Sequence, residues 1–450
     1  MLTPFPTQIS GAIFLANNQN ALLADAPRVG KTGTAIMAAD YNLEENVLVV
    51  TTASGRPVWG RAFGQWSPFK RKVQVLTDAK PVTGEAVIVG WPAMTNAALR
   101  VELLKRKWDR IILDEAHNAK NFDAKRTQAV YGVPMEDGAT LALSSSLISR
   151  AAGTWALTGT PIPNAPNDLY PMMRALCPER LEADDTRGWP NVTKYQTFLH
   201  RYCIVKMKKI SNFNRIPVVI GGRNLDELRE RLGSFMLLRT QQDVGIREPV
   251  YETLPLAVTA AMRRQIEKDS DGEAILDAAE AGDTRKLEMH LGPLRRLTGT
   301  LKAEAVAAFV KDEFDGGLDK VVLAYWHKDV GDALREALAA FGVVGIEGAT
   351  PASERGAAEQ RFLHDPKCRV FLGQIQAAGE AIDLSSAALL IFVEMSMTPK
   401  DGAQMSKRIT NHGQTRQPIV RVAVLEGSID EAVGEILTRK MSAIREVLTR

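Results

Sequence analysis

The stretch ALLADAPRVGKTGTAI, residues 21–36, sets a short apolar run against a polar loop, then Gly30-Lys31-Thr32, then a helix-forming tail from Gly33. A strand that turns through such a loop into a helix is the opening of a βαβ unit. The new helix starts with unpaired N–H groups gathered at the loop, the arrangement that holds a phosphate chain. Lys31 suits a charge laid across β- and γ-phosphates and Thr32 a hydroxyl for Mg2+, with Arg28, Val29, Gly30 and Gly33 forming the cradle. The strict pattern places glycine five residues before Gly30; this chain has Asp25 there.

Outward from the loop the same rhythm continues. Ala21–Ala24, Val47–Val50, Val73–Leu76, Ala86–Val89, Arg110–Leu113 and Thr154–Leu157 are short apolar runs, most of them followed by helical or turn-rich sequence. The rhythm returns in Lys320–Leu323, Arg369–Leu372, Leu389–Val393 and Val420–Leu425. Strands alternating with helices predict an α/β fold of parallel sheets covered by helices on both faces. Residues 177–300 break the pattern with Pro, Gly, charge and helical stretches such as Asn224–Leu232, Met262–Ile275 and Thr284–Leu291. The predicted organisation is a first lobe over 1–245, with a helical and basic insertion around 177–240. A second lobe follows over 246–450, with a helical insertion around 260–300.

Bulk properties agree with two or three domains in 450 residues. The longest apolar runs, such as Ala387–Val393, are too short to cross a bilayer. MLTPFPTQISG lacks the order of a signal peptide. Cys177, Cys203 and Cys368 are scattered, in no metal-ligand pattern, and read as free thiols of a reducing compartment, hence a cytoplasmic (or, in a eukaryote, nuclear) protein. The net charge of +3 is small, but residues 194–247 hold eleven Lys/Arg against four Asp/Glu. Such an excess is either a solvated face or a surface for a polyanion.

In RIILDEAHNAKN, residues 110–121, an apolar strand ends in Asp114-Glu115. Both carboxylates therefore sit at the carboxyl edge of the sheet, where α/β proteins bind ligands. Phosphoryl transfer to water wants one carboxylate on Mg2+, here Asp114, and another on the attacking water, here Glu115. WALTGTPIPN, residues 155–164, is a third strand, turning through Thr158-Gly159-Thr160-Pro161. Alone it is an ordinary turn; third in order after the other two, its hydroxyls suit a relay from nucleotide to nucleic acid.

This order resembles superfamily 2 helicase-like ATPases, and most closely the Swi/Snf-type DNA translocases. Gln8, ahead of the phosphate loop, matches the glutamine that reads adenine in that family. VLVVTTAS (47–54) and VIVGWPAMT (87–95) resemble its nucleic-acid segments, which implies Thr51, Thr52 and Trp91 near a DNA backbone. GGRNLDELRERLGSFMLLRTQQDV (221–244) resembles an element of the Swi/Snf branch, with Arg239 where a doubled arginine is usual. LGPLRRLTGTLKAEAVAAFV (291–310) is closest to the compact annealing helicases of HARP type. VVLAYWHKDVGDALREAL (321–338) implies a DNA-facing turn at His327-Lys328, and VFLGQIQAAGEAIDLSSAALLIFVE (370–394) a coupling loop with Gly379 and Asp383.

QMSKRITNHGQ, residues 404–414, resembles the family's last motif, Q-x-x-x-R-x-x-R-x-G-Q. Gln404, Arg408, Gly413 and Gln414 match; Asn411 stands at the second arginine. In relatives these arginines meet the γ-phosphate across the interdomain cleft, and losing such a charge costs on the order of 10³–10⁵ in rate. Arg408 or Arg416 is the candidate to supply it instead.

The resemblance implies two RecA-like lobes that use ATP and Mg2+ to move along double-stranded DNA as a monomer, without sequence preference. Asn411 implies slow hydrolysis. A strand-separating helicase and an ATP-gated DNA-binding module with little turnover are the alternatives. No chromodomain-, bromodomain- or nuclease-like segment is legible, which suits a bacterial or viral setting.

Overall fold

Each apolar run named above becomes a strand, and the strands collect into two parallel sheets. The computed structural model describes residues 1–53, 55–137, 141–159, 161, 165–209, 215–257, 259–260, 264, 272–281, 284–378, 382–396 and 399–438. Contacts divide the chain into two units, Met1–Thr240 and Gln241–Arg450.

The first unit runs through β1 (Asn20–Leu23), β2 (Val47–Thr51), β3 (Val73–Leu76), β4 (Ala86–Gly90) and β5 (Arg110–Asp114). A short antiparallel pair, β6 (Val133–Pro134) and β7 (Leu141–Ala142), precedes β8 (Thr154–Leu157). A hairpin of β9 (Cys203–Lys209) and β10 (Arg215–Gly222) follows, then β11 (Met236–Leu237). The main sheet is parallel in the order β11-β1-β8-β5-β2-β4-β3.

Alternation along β2 explains why both faces are covered. Val47 and Val49 pack into one apolar cluster with Ala35 and Ile36 of the helix Lys31–Tyr41. Leu48 and Val50 pack into another with Tyr170 and Met173 of the helix Tyr170–Leu176. A strand buried on both faces reads as a continuous apolar run, which is why these strands are legible in sequence.

Helices were expected around 177–240, and Tyr195–Tyr202 and Leu225–Leu232 are helical. The β9–β10 hairpin between them is an addition. Its first strand alternates apolar and lysine from Val205 to Lys208, a period of two that belongs to a strand rather than a helix. β11 then returns to the main sheet beside β1.

The second unit carries β12 (Val250–Leu256), β13 (Val321–Tyr325), β14 (Val343–Ile346), β15 (Val370–Gln374), β16 (Leu389–Phe392) and β17 (Ile419–Leu425). They form one parallel sheet ordered β12-β17-β16-β13-β15-β14. Helices Gly272–Ala281 and Thr284–Asp315 precede β13. Among the described residues no helix is long and apolar enough to cross a membrane. The two units are thus both α/β with parallel sheets, as the alternation predicts.

Candidate active site

β8 lies between β1 and β5, so the segments leaving these three strands share one carboxyl edge. They are the glycine-lysine-threonine loop, the acidic pair and the threonine-glycine turn.

The loop folds tightly between β1 and the helix Lys31–Tyr41. Arg28 (φ 74°) and Gly30 (φ 100°) take left-handed backbone, which turns the chain onto the first helical residue. A Cβ on residue 30 would lie 2.3 Å from Gln8 Nε2, so a larger residue there would displace the Gln8 side chain. Gln8 is buried; its side chain accepts from Phe5 N (3.0 Å) and donates to Gly30 O (3.2 Å). Lys31 Nζ folds over the loop and donates to Asp25 O at 2.8 Å. Val29 is buried, Thr32 half-buried, and Gly33 packs against Trp66. Asp25, the departure from the strict pattern, is fully buried and ion-paired to Arg239.

Asp114 closes β5 under a set of donors. Thr51 Oγ1 (2.6 Å) and Trp59 Nε1 (2.9 Å) both donate to its Oδ2, and Trp91 Nε1 donates to its backbone oxygen (2.9 Å). Among the described residues no donor reaches Oδ1. Burial, then the neighbouring Glu115 charge, hold the Asp114 carboxyl above the usual carboxylate range; Thr51, Trp59 and the Lys31 charge pull it back. Glu115 has φ 50°, an uncommon conformation outside glycine and one that concentrates at functional sites.

His117 is the group that motif matching passed over. Its Nδ1 lies 3.2 Å from Glu115 Oε2 and 2.9 Å from Thr158 Oγ1. It links the acidic pair to the threonine turn. The turn also meets the phosphate loop, since a Cβ on Gly159 would lie 2.8 Å from Pro27 Cδ. Thr160 lies outside the described residues. Trp59 was likewise missed; a tryptophan on a helix behind the sheet gives no local sign of its partner.

The residues expected to face DNA fare differently. Thr51 and Trp91 are interior, their donors directed at Asp114, and Arg239 is ion-paired to Asp25. Buried polar groups are generally paired, and this hydroxyl, indole and guanidinium each find a partner inside the first unit. Thr52 is half-buried, its Oγ1 accepting from Gly55 N.

In the second unit, Gln404 and Arg408 are half-buried, on the helix Pro399–Ser406 and the turn Lys407–Ile409. Arg408 O accepts from Leu384 N at 2.9 Å. Asn411 donates to Ser385 Oγ and accepts from Gly413 N (2.7 Å). Gln414 Nε2 donates to Ser385 O and Ala387 O, each at 2.9 Å. The segment 411–414 is thus tied to the loop carrying Asp383, whose Oδ1 accepts from Ser385 N (3.0 Å). Gly379 lies outside the described residues. Arg416 pairs with Asp319 (2.9 Å) and donates to Ser386 O (2.9 Å). His327 is anchored by Nδ1 to the buried Glu394 (2.5 Å), while Lys328 is exposed.

Two family profiles match the chain. The SNF2-related domain profile matches residues 8–263, and that of the helicase conserved C-terminal domain residues 305–413. The chain is 26% identical over 453 residues to the DNA annealing helicase and endonuclease ZRANB3 of Mus musculus, covering 97% of this chain and 40% of that protein. It is 26% identical over 452 residues to the SWI/SNF-related matrix-associated actin-dependent regulator of chromatin subfamily A-like protein 1 of Drosophila melanogaster, covering 98% of this chain and 55% of that protein. Each relative thus extends well beyond the match. The solved Sulfolobus solfataricus SWI2/SNF2 ATPase core in complex with dsDNA is similar at 20% identity and a TM-score of 0.44, covering 99% of this chain and 95% of that one.

Proposed function

This chain belongs to the family of SNF2-related domains, and from that premise we propose that it is an ATP-dependent motor acting on double-stranded DNA, of the annealing-helicase kind. The observation that carries the proposal is the meeting of the phosphate loop, Asp114-Glu115 and the Thr158-Gly159 turn along adjacent strands β1, β8 and β5.

In this reading the loop N–H groups and Lys31 bind the triphosphate, and Gln8 borders the base. Thr32 and Asp114 hold Mg2+ that arrives with the nucleotide. The donor set fits that ion: a hydroxyl, a carboxylate oxygen that no donor reaches among the described residues, and phosphate oxygens are hard ligands, and Mg2+ is commonly held by one or two carboxylates plus substrate phosphates. When bound, Mg2+ neutralises charge on the β- and γ-phosphates. Glu115 orients the attacking water and accepts its proton, and His117 conveys the state of that carboxylate to Thr158. DNA is gripped through its phosphates, so binding is salt-sensitive and indifferent to sequence.

Asn411 favours a second reading, an ATP-gated DNA clamp with little turnover, because it brings no charge where the motif it resembles has arginine. Phosphate release, measured with no nucleic acid, with single strands and with duplex, separates these. Duplex-stimulated release that Lys31→Ala abolishes supports the motor. Tight ATP-dependent duplex binding with no release supports the clamp, and greater stimulation by single strands supports a strand-separating helicase. Release unchanged in Lys31→Ala overturns the site itself.

A further inference from the structure

The Asp25–Arg239 pair takes no part in the scheme above. Asp25 is fully buried in the phosphate loop, where an unpaired carboxylate would be costly. Arg239 meets it with two prongs: Nε donates to Oδ1 at 2.8 Å and Nη2 to Oδ2. The remaining nitrogen, Nη1, donates to Thr7 O and to Ser10 Oγ (3.0 Å) on the helix Pro6–Ala16, which also carries Gln8. That helix presents Gly11 to the guanidinium; a Cβ there would lie 2.6 Å from Nη2.

The backbone repeats the connection. Ala24 N donates to Leu237 O (2.7 Å) and Ala26 N to Arg239 O (2.8 Å), so the β1–β11 pairing runs on into the phosphate loop. One side chain therefore joins three segments: the Gln8 helix, the loop and the last strand of the first unit. Arg239 is the second-to-last residue of that unit.

We propose that Arg239 is a positioning residue for nucleoside triphosphate binding. Through the buried Asp25 carboxylate it fixes the loop backbone, and through Thr7 and Ser10 it seats Gln8 against Gly30. The loop N–H groups are thus set before the nucleotide arrives, which lowers the ordering cost of binding. The bidentate geometry demands a guanidinium; lysine brings the charge without the fork. The proposal rests on the ATP-binding reading of this loop. It also assigns Arg239 to the nucleotide rather than to a DNA backbone, consistent with a side chain only 13% exposed.

The test is Mg2+·ATP affinity by calorimetry, beside nucleotide-free affinity for a duplex of arbitrary sequence at several salt concentrations. Arg239→Lys should weaken ATP roughly 10- to 100-fold, the scale of loss seen when the partner behind a metal ligand is removed. Duplex affinity and its salt slope should match the parent's. A lower salt slope with ATP affinity intact would identify Arg239 as a phosphate-backbone contact and overturn the proposal. So would no change in either. If Arg239→Lys fails to fold, the nearly isosteric Asp25→Asn decides: parental ATP affinity in that variant overturns the proposal. A parent chain that binds no ATP overturns the proposed function and this inference with it; variants that match an ATP-binding parent overturn the inference alone.

Discussion

His117 Nδ1 stands 2.9 Å from Thr158 Oγ1, joining the end of β5 to the end of β8 across neighbouring strands. Because the same nitrogen lies 3.2 Å from Glu115 Oε2, the imidazole orients the carboxylate proposed to act on water. Misplacing such a group costs on the order of 10²-fold in rate. His117→Ala is therefore expected to lower kcat by about that factor with ATP affinity little changed. Thr158→Val should lower duplex stimulation more than the rate without DNA. Steady-state phosphate release with and without duplex checks both; a change in KM alone would reject the relay.

Asp114 has a carboxyl raised above its ordinary range, chiefly by burial, and two donors on Oδ2 oppose the rise. In the proposed scheme only the ionised form would serve Mg2+, so activity is expected to fall as pH falls through that raised pKa. Removing a donor from the ionised form raises it further. Trp59→Phe and Thr51→Val are each expected to move the acid limb of the kcat/KM profile to higher pH, since that profile reports the free enzyme. A limb that stays in place in both variants would show that Asp114 does not set it.

The parallel strands and the residues gathered at their carboxyl edge were legible because both are written locally. A doubly buried strand is a continuous apolar run, and a loop between strand and helix carries its lysine and threonine with it. What stayed hidden is pairing across distance. Asp25 looked like a flaw in the loop, yet its partner Arg239 lies 214 residues away, and nothing near either residue names the other. β11 is two residues long and has no period to read. The segments of Thr51 and Trp91 resemble nucleic-acid motifs, and nothing local shows that both side chains donate to Asp114. A strand-end hydroxyl facing inward and one facing outward have the same sequence signature, and only the fold shows that Asp114 takes these donors.

His327 and Lys328 are adjacent yet differ in kind. The His327 ring and backbone, with Trp326 N, are all bonded to Glu394, which is 1% exposed; both backbone nitrogens donate at 2.8 Å. Hydrogen bonds to a charged group contribute roughly 1.5–3 kcal/mol each, so Glu394→Ala is expected to destabilise the second unit by a few kcal/mol in denaturant melts. Lys328 is exposed at the start of the helix Lys328–Ala337. Lys328→Ala should leave stability unchanged and reduce the slope of log affinity against log salt by about one, as loss of a single phosphate contact does. An unaltered slope would remove Lys328 from the DNA surface.

Asn411 performs a structural task as well as omitting a charge. Its amide group donates to Ser385 Oγ and its carbonyl oxygen caps Gly413 N, which ties the 411–414 turn to the Asp383 loop. Arg416, a candidate to replace the missing arginine, is held instead by Asp319 and Ser386 O. Two substitutions separate the roles. Asn411→Ala loses both hydrogen bonds and, at about 1 kcal/mol each, should lower stability by about 2 kcal/mol while hydrolysis changes little. Asn411→Arg loses the same bonds but supplies a guanidinium, so it should melt like Asn411→Ala yet hydrolyse ATP faster with duplex than the parent chain. Duplex-stimulated phosphate release is the deciding measurement. If Asn411→Arg is no faster than the parent, charge at this position does not limit turnover, and the slow hydrolysis expected from Asn411 is wrong.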